Sequence, residues 1–197
     1  VSTGCGAAAG GAAVGAQAHG SSPARSDPEP SAQLQHGLDL GAAGEKWADL
    51  QHQAMALRGV ARMRKLNPPT IVVRGRLQFG RKSDVDYGGY LLGGEARHVA
   101  VECKSFAGDR LAFSEVKEHQ RALLDRAHAD GCVVVLLMIE LRSDAQGNAL
   151  PYMQAAYAVP WWRVRALVGD RGSVLVRDVA QHRVPAGALY LEPWVTG

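Results

Sequence analysis

The sequence predicts an α/β domain in which helices cover both faces of a mixed sheet. Two observations predict it. The run CVVVLLMIEL at 132–141 is apolar without alternation, as a strand buried on both faces requires. Around it, helix-period and strand-period segments follow one another as helix, several strands, helix, then strands, the order of a layered α/β domain.

Thirteen of the first twenty residues are Gly or Ala, and GSSPARSDPEPS follows. Residues 1–36 therefore read as a disordered low-complexity leader, unable to bury enough apolar area to offset its ordering entropy. The domain spans 37–197. GEKWADLQHQAMALRGVARMRKL (44–66) sets Trp47, Leu50, Ala54, Leu57, Ala61 and Leu66 at helical spacing, and Pro68-Pro69 stops that helix. TIVVRGRLQFG (70–80) reads as a strand leading into a basic loop. YGGYLLGGEARHVAVECKS (87–105) reads as a hairpin turning at Gly93-Gly94, with a returning strand from about Arg97 to Lys104. The segment 105–131 is a loop and a helix, with Val116, His119, Leu123 and Ala127 along one side and Gly131 at its end. QAAYAVP (154–160) is a further strand, and PWWRVRALVG a short helix begun by Pro160. SVLVRDVAQH (173–182) fits helix or strand, and GALYLEPW (187–194) has strand character.

Composition narrows the classes of function. The chain has 197 residues, 47% of them hydrophobic, enough for a substantial core. No segment approaches the ~18 uninterrupted apolar residues of a membrane span. Cys5, Cys103 and Cys132 are odd in number and lack metal-ligand spacing, which points to a reducing, cytoplasmic setting. The net charge of +3 is small, but its distribution is uneven. Arg58, Arg62, Arg64, Lys65, Arg74, Arg76, Arg81 and Lys82 fall within 25 residues that contain no acid. Such a run suits a phosphate-facing surface or a solvated basic face.

The chemistry concentrates around SDVDYGG and VAVECKS. On the returning strand His98, Ala100, Glu102 and Lys104 share one side, while Val99, Val101 and Cys103 take the other, core side. The Cα atoms of Glu102 and Lys104 should lie roughly 6.5–7 Å apart. Asp86 sits on the preceding arm, where the fold back can bring its carboxylate beside Glu102. Two hard oxygen ligands suit a magnesium ion that keeps several waters, with manganese as the alternative. A neighbouring lysine can orient the attacking water and offset charge that grows on a phosphate. E-x-K also occurs in many strands as an exposed ion pair worth under about 1 kcal/mol.

The order SDVDYGG, VECK, VKEHQ on the next helix, an apolar strand and WW at a short helix resembles the RecU-type Holliday junction resolvases, members of the PD-(D/E)xK, restriction-endonuclease-like nucleases. The resemblance runs from about Gly41 to Trp194 and is specific at DYGG, ECK and HQ. It implies a restriction-endonuclease-like mixed central sheet flanked by helices. It also implies Asp86 and Glu102 as metal ligands, Lys104 as the motif lysine, Gln120 reaching the same pocket from the next helix, and Glu45 as the N-terminal-helix glutamate. Val85 stands where such enzymes commonly carry a small hydroxyl residue. The segment NPPTIVVRGRLQFGRKS corresponds to the region that projects into the junction in that family, and is short for it.

The expected function is therefore metal-dependent endonucleolytic cleavage of four-way DNA junctions by a homodimer, bacterial or phage-encoded. Arg62, Arg64, Lys65, Arg74, Arg76, Arg81 and Lys82 are the expected DNA contacts. Two alternatives are a nuclease of the same fold acting on duplex or flapped DNA, and a non-catalytic DNA-binding module. Trp161 and Trp162 suit packing better than base stacking, His119 suits packing, and Cys103 and Cys132 read as small buried hydrophobes.

Overall fold

The computed structural model describes residues 30–66, 70–73, 76–79, 85–93 and 96–196. Helix α1 (Pro30–Leu57) leads to strand β1 (Ala61–Lys65), a small ribbon of β2 (Thr70–Val73) and β3 (Arg76–Phe79), then β4 (Tyr87–Leu91) and β5 (His98–Ala107). A short β6 (Arg110–Ala112) and a 3₁₀ turn precede α2 (Glu118–Ala129). Then come β7 (Val133–Ser143), β8 (Ala149–Pro160), α3 (Trp161–Val168), β9 (Ser173–Leu175), a 3₁₀ segment (Val176–His182) and α4 (Glu192–Thr196).

Among the described residues five strands form the central sheet, in the order β1-β4-β5-β7-β8. All neighbours are antiparallel except β5 and β7, which run parallel and so need the crossover that α2 supplies. The molecule is thus a mixed α/β fold. Residues 133–139 of β7 are all buried, because both faces of this interior strand are covered.

Each face has its own apolar cluster. On one side α1 lays Ala48 and Met55 against Val99, Val101, Cys103, Val135, Leu137 and Ile139. On the other, Val116 and Leu124 near α2 and Trp161 and Val164 of α3 meet Ala100, Phe106, Val134, Leu136 and Met138. The face of Glu102 is therefore a second core, where the alternation had suggested a single core side. Gly44 lets α1 approach: a Cβ there would collide with the Ser105 hydroxyl and press on Ile139.

Several expectations need correction. The opening helix stops at Leu57, not Leu66. Gly59 takes φ +70, and ARMRK becomes β1, whose pairing with β4 outweighs the helical spacing of Ala61 and Leu66. At its other end α1 begins at Pro30, inside the segment read as leader, while residues 1–29 lie outside the described residues. Within TIVVRGRLQF, Thr70–Val73 and Arg76–Phe79 pair as a two-stranded ribbon that, among the described residues, joins no strand of the main sheet. His119 is exposed, because α2 turns Gln120 and Leu124 inward instead. The segment 187–194 is a turn and the start of α4. Leu189, Tyr190 and Leu191 are consecutively buried, which a half-exposed strand cannot achieve, and the Glu192 carboxylate accepts from the Leu189 N–H at 3.3 Å.

His52 is buried within the α1 face, its Nε2 2.5 Å from the Tyr190 hydroxyl and its ring edge-on to Tyr87 at 4.5 Å. Burial lowers its pKa from 6.5 to about 4, with Asp49 opposing. The unfolded chain therefore takes up a proton before the folded one does. His52 contributes stability above pH 6.5 that is lost as pH falls toward 4, by up to about 1.4 kcal/mol per pH unit. Urea melts across this range should show His52→Gln gaining on the wild type steadily toward acid; a constant difference would contradict the assignment.

Candidate active site

The β4–β5 register sets Tyr87 opposite Val101 and Gly88 opposite Ala100. Continued one residue, it sets Asp86 opposite Glu102. Pairing stops there because the chain bends at Val85 and Asp86. The next β5 donor facing β4, the Cys103 N–H, would be left without a strand acceptor. Asp86 Oδ2 accepts it at 2.8 Å, while the Asp86 carbonyl accepts from the Leu66 N–H at 2.8 Å. The aspartate is thus pinned between β1 and β5 by main-chain bonds.

Glu102 has no solvent exposure. Its Oε1 lies 2.6 Å from the Lys104 ammonium, which is itself 20% exposed. Neither carboxylate oxygen has a hydrogen bond of ideal geometry, although the Asp86 main-chain N–H lies close enough, with Lys104, to favour the charged form. Burial, reinforced by the negative charge of Asp86, raises the Glu102 pKa from 4.5 to about 7 against the pull of Lys104. Asp86 is likewise raised, chiefly by burial and further by Glu45, with the Cys103 N–H and Lys104 opposing.

Glu45 reaches the same neighbourhood from α1. Its carboxylate pairs with Lys65 of β1, and its carbonyl accepts from the Tyr87 hydroxyl at 3.1 Å. Lys65 thus serves as the Glu45 partner, a role that charge counting did not suggest. Gln120 is buried in the first turn of α2, on the Glu102 side of the sheet. Its Oε1 accepts from the Lys117 N–H at 3.0 Å, so that oxygen caps the helix rather than meeting the carboxylates.

Arg62 and Arg64 are exposed on β1. Arg76 opens β3, with its backbone alone described, and Arg74, Arg81 and Lys82 lie outside the described residues, as do Ser83 and Asp84. Trp161 is buried and donates to Asp125 at 2.7 Å, whereas Trp162 is 55% exposed. Cys103 is buried and Cys132 partly so.

Two carboxylates this deep are costly while both are charged, and a bound proton or a cation relieves that cost. Asp86 and Glu102 offer hard oxygen donors of the kind magnesium takes while keeping waters. The chemistry of the donor set therefore fits a divalent cation held by few protein ligands. Among the described residues no group of three or more His, Cys, Asp or Glu side chains forms a ready-made metal cluster. No helix among them is long and apolar enough to cross a membrane.

The raised Glu102 pKa carries a stability consequence. Between pH 4.5 and 7 the folded protein holds a proton that the unfolded chain has released, so the Glu102 contribution declines as pH rises through that window. Glu102→Gln, neutral at every pH, should match the wild type near pH 4 and exceed it by on the order of 1–3 kcal/mol at pH 8 without divalent ions. Parallel denaturation curves at the two pH values would contradict this. A titration with magnesium should raise the melting temperature of the wild type and leave Glu102→Gln unmoved.

Comparison with family models gives no match, and comparison with curated proteins gives none either.

Proposed function

We propose that the protein is a metal-dependent DNA endonuclease with a restriction-endonuclease-like arrangement, cutting branched DNA such as four-way junctions. The observation that carries this reading is the fully buried Glu102 carboxylate, placed by strand register opposite Asp86 and 2.6 Å from the Lys104 ammonium. A structural ion pair needs one acid and one base; here a second acid, held by a main-chain N–H, is added at a cost that a divalent cation would offset at the pH where both are charged.

Asp86 and Glu102 would hold a magnesium or manganese ion. When bound, such an ion supplies charge neutralisation at the phosphate and a more acidic water. Lys104, paired with Glu102, would orient the attacking water and balance the charge that grows on the phosphate oxygens. Lys65 holds the Glu45 carboxylate at the rim. Arg62 and Arg64 on the adjoining edge strand would grip the backbone without reading sequence. Resolution of a four-way junction needs two matched cuts, which a two-fold dimer would supply.

A second reading, cleavage of duplex or flapped DNA, is favoured by the β2–β3 ribbon, only four residues per strand, short for an arm that enters a junction. The deciding experiment compares a synthetic four-way junction with linear duplex of matched sequence, with magnesium and with a chelator. Paired, magnesium-dependent nicks in the junction are expected, with Asp86→Asn and Lys104→Ala each lowering the rate about 10²–10³-fold. Equal rates on duplex would remove the junction preference. No cleavage of either DNA with magnesium or manganese would remove the nuclease.

A further inference from the structure

The face that carries Asp86 and Glu102 continues past them as a trough, for which the catalytic reading has no use. Strand register builds it rung by rung. Next to the carboxylates, Arg64, Gly88 and Ala100 lie abreast on β1, β4 and β5. One rung further, Arg62, Tyr90 and His98 do the same. Each rung advances about 6.5–7 Å, so the trough opens immediately beside the site.

Its volume is about 550 Å³, within the range of pockets that take small organic groups. The floor is Gly88 and Ala100, with the Leu66 side chain lying against Gly88, and Leu123 of α2 closes one wall. Gly89 is fixed as well, since a Cβ there would strike the Arg62 carbonyl. The rim is of opposite character. Arg62, Arg64 and His98 are exposed, Tyr90 is 39% exposed, and no acidic side chain lines the trough among the described residues. Neither arginine joins an ion pair among those residues.

A flat apolar floor, an aromatic edge and two uncommitted guanidinium groups form a set of chemical complements. The floor and Tyr90 suit the face of a nucleobase, and the arginines suit its flanking phosphates. A base in duplex keeps both faces stacked and cannot present one to the floor; an unpaired base can. We propose that this trough binds one unpaired nucleotide next to the phosphate at the carboxylate site, with Tyr90 stacking on the base and Arg62 and Arg64 holding the backbone. The placement of that nucleotide rests on the nuclease reading; its binding does not.

The test uses fluorescence anisotropy without divalent ions, on a labelled 12-nucleotide thymidine strand, the same strand with abasic central positions, and a duplex of equal length. The intact single strand should bind tightest. Tyr90→Ala should weaken it about 5- to 100-fold, with little effect on the abasic strand, and Tyr90→Phe should restore binding. Arg64→Ala should reduce the slope of log affinity against log salt by about one. Thermal melts should show the variants folded. Equal binding of intact and abasic strands, tighter binding of the duplex, or an unaffected Tyr90→Ala would each overturn the trough. If the binding pattern holds and no DNA is cut, the nuclease reading fails and the trough stands. If junctions are cut and Tyr90→Ala binds and cuts as the wild type does, the trough fails and the nuclease stands.

Discussion

The antiparallel register between β4 and β5 is the constraint on which the site depends. Because Tyr87 faces Val101, Asp86 falls beside Glu102, Gly88 falls beside Ala100, and Tyr90 falls beside His98. A slip of one residue would turn all of these to the opposite face. The register is held from both sides. The alternate residues Tyr87, Leu91, Val99 and Val101 are locked into the α1 core, and Val85 and Ala100 are locked into the α2–α3 core. Polar geometry at the site thus follows from apolar packing away from it.

The two faces divide the work. One carries no charge on β5 and is closed by α1, with His52 and Tyr190 satisfying each other in its interior. The other is apolar where α2 and α3 cover it, acidic where β4 ends, and open beyond. Glu102 sits at the boundary, sealed from water yet adjacent to an exposed surface. That position explains how a carboxylate can be both unable to ionise freely and within reach of a ligand, since desolvation sets its proton affinity while the Lys104 ammonium, partly exposed, links it to solvent.

Local signals revealed much of this. The apolar run of β7, the β4–β5 hairpin, and the shared side of Glu102 and Lys104 could be read from residue types and a period of two. The end of α1 could not, because Ala61 and Leu66 fit a helical period and only pairing with β4 decides for strand. Gln120 reads as a pocket residue only through the family resemblance, yet an N3 glutamine can satisfy the backbone of its own helix, and here its oxygen does. His119 and Leu123 look equivalent on a wheel, and only the angle at which α2 meets the sheet separates them. The Glu45–Lys65 pair joins residues twenty apart, and no local period reports it. The trough depends on three strands lying abreast, and Gly88 and Ala100 gain significance only once their neighbours are known.

The bond from Cys103 to Asp86 uses a main-chain N–H. Any residue except proline supplies that donor, so the anchoring of the aspartate is independent of the side chain at 103, which faces the α1 core. Sequence drift at that position can answer to packing alone. Relatives of this chain should therefore carry at 103 whatever apolar side chain the α1 core has room for, proline excepted, and the thiol itself would be dispensable to the carboxylate arrangement it adjoins.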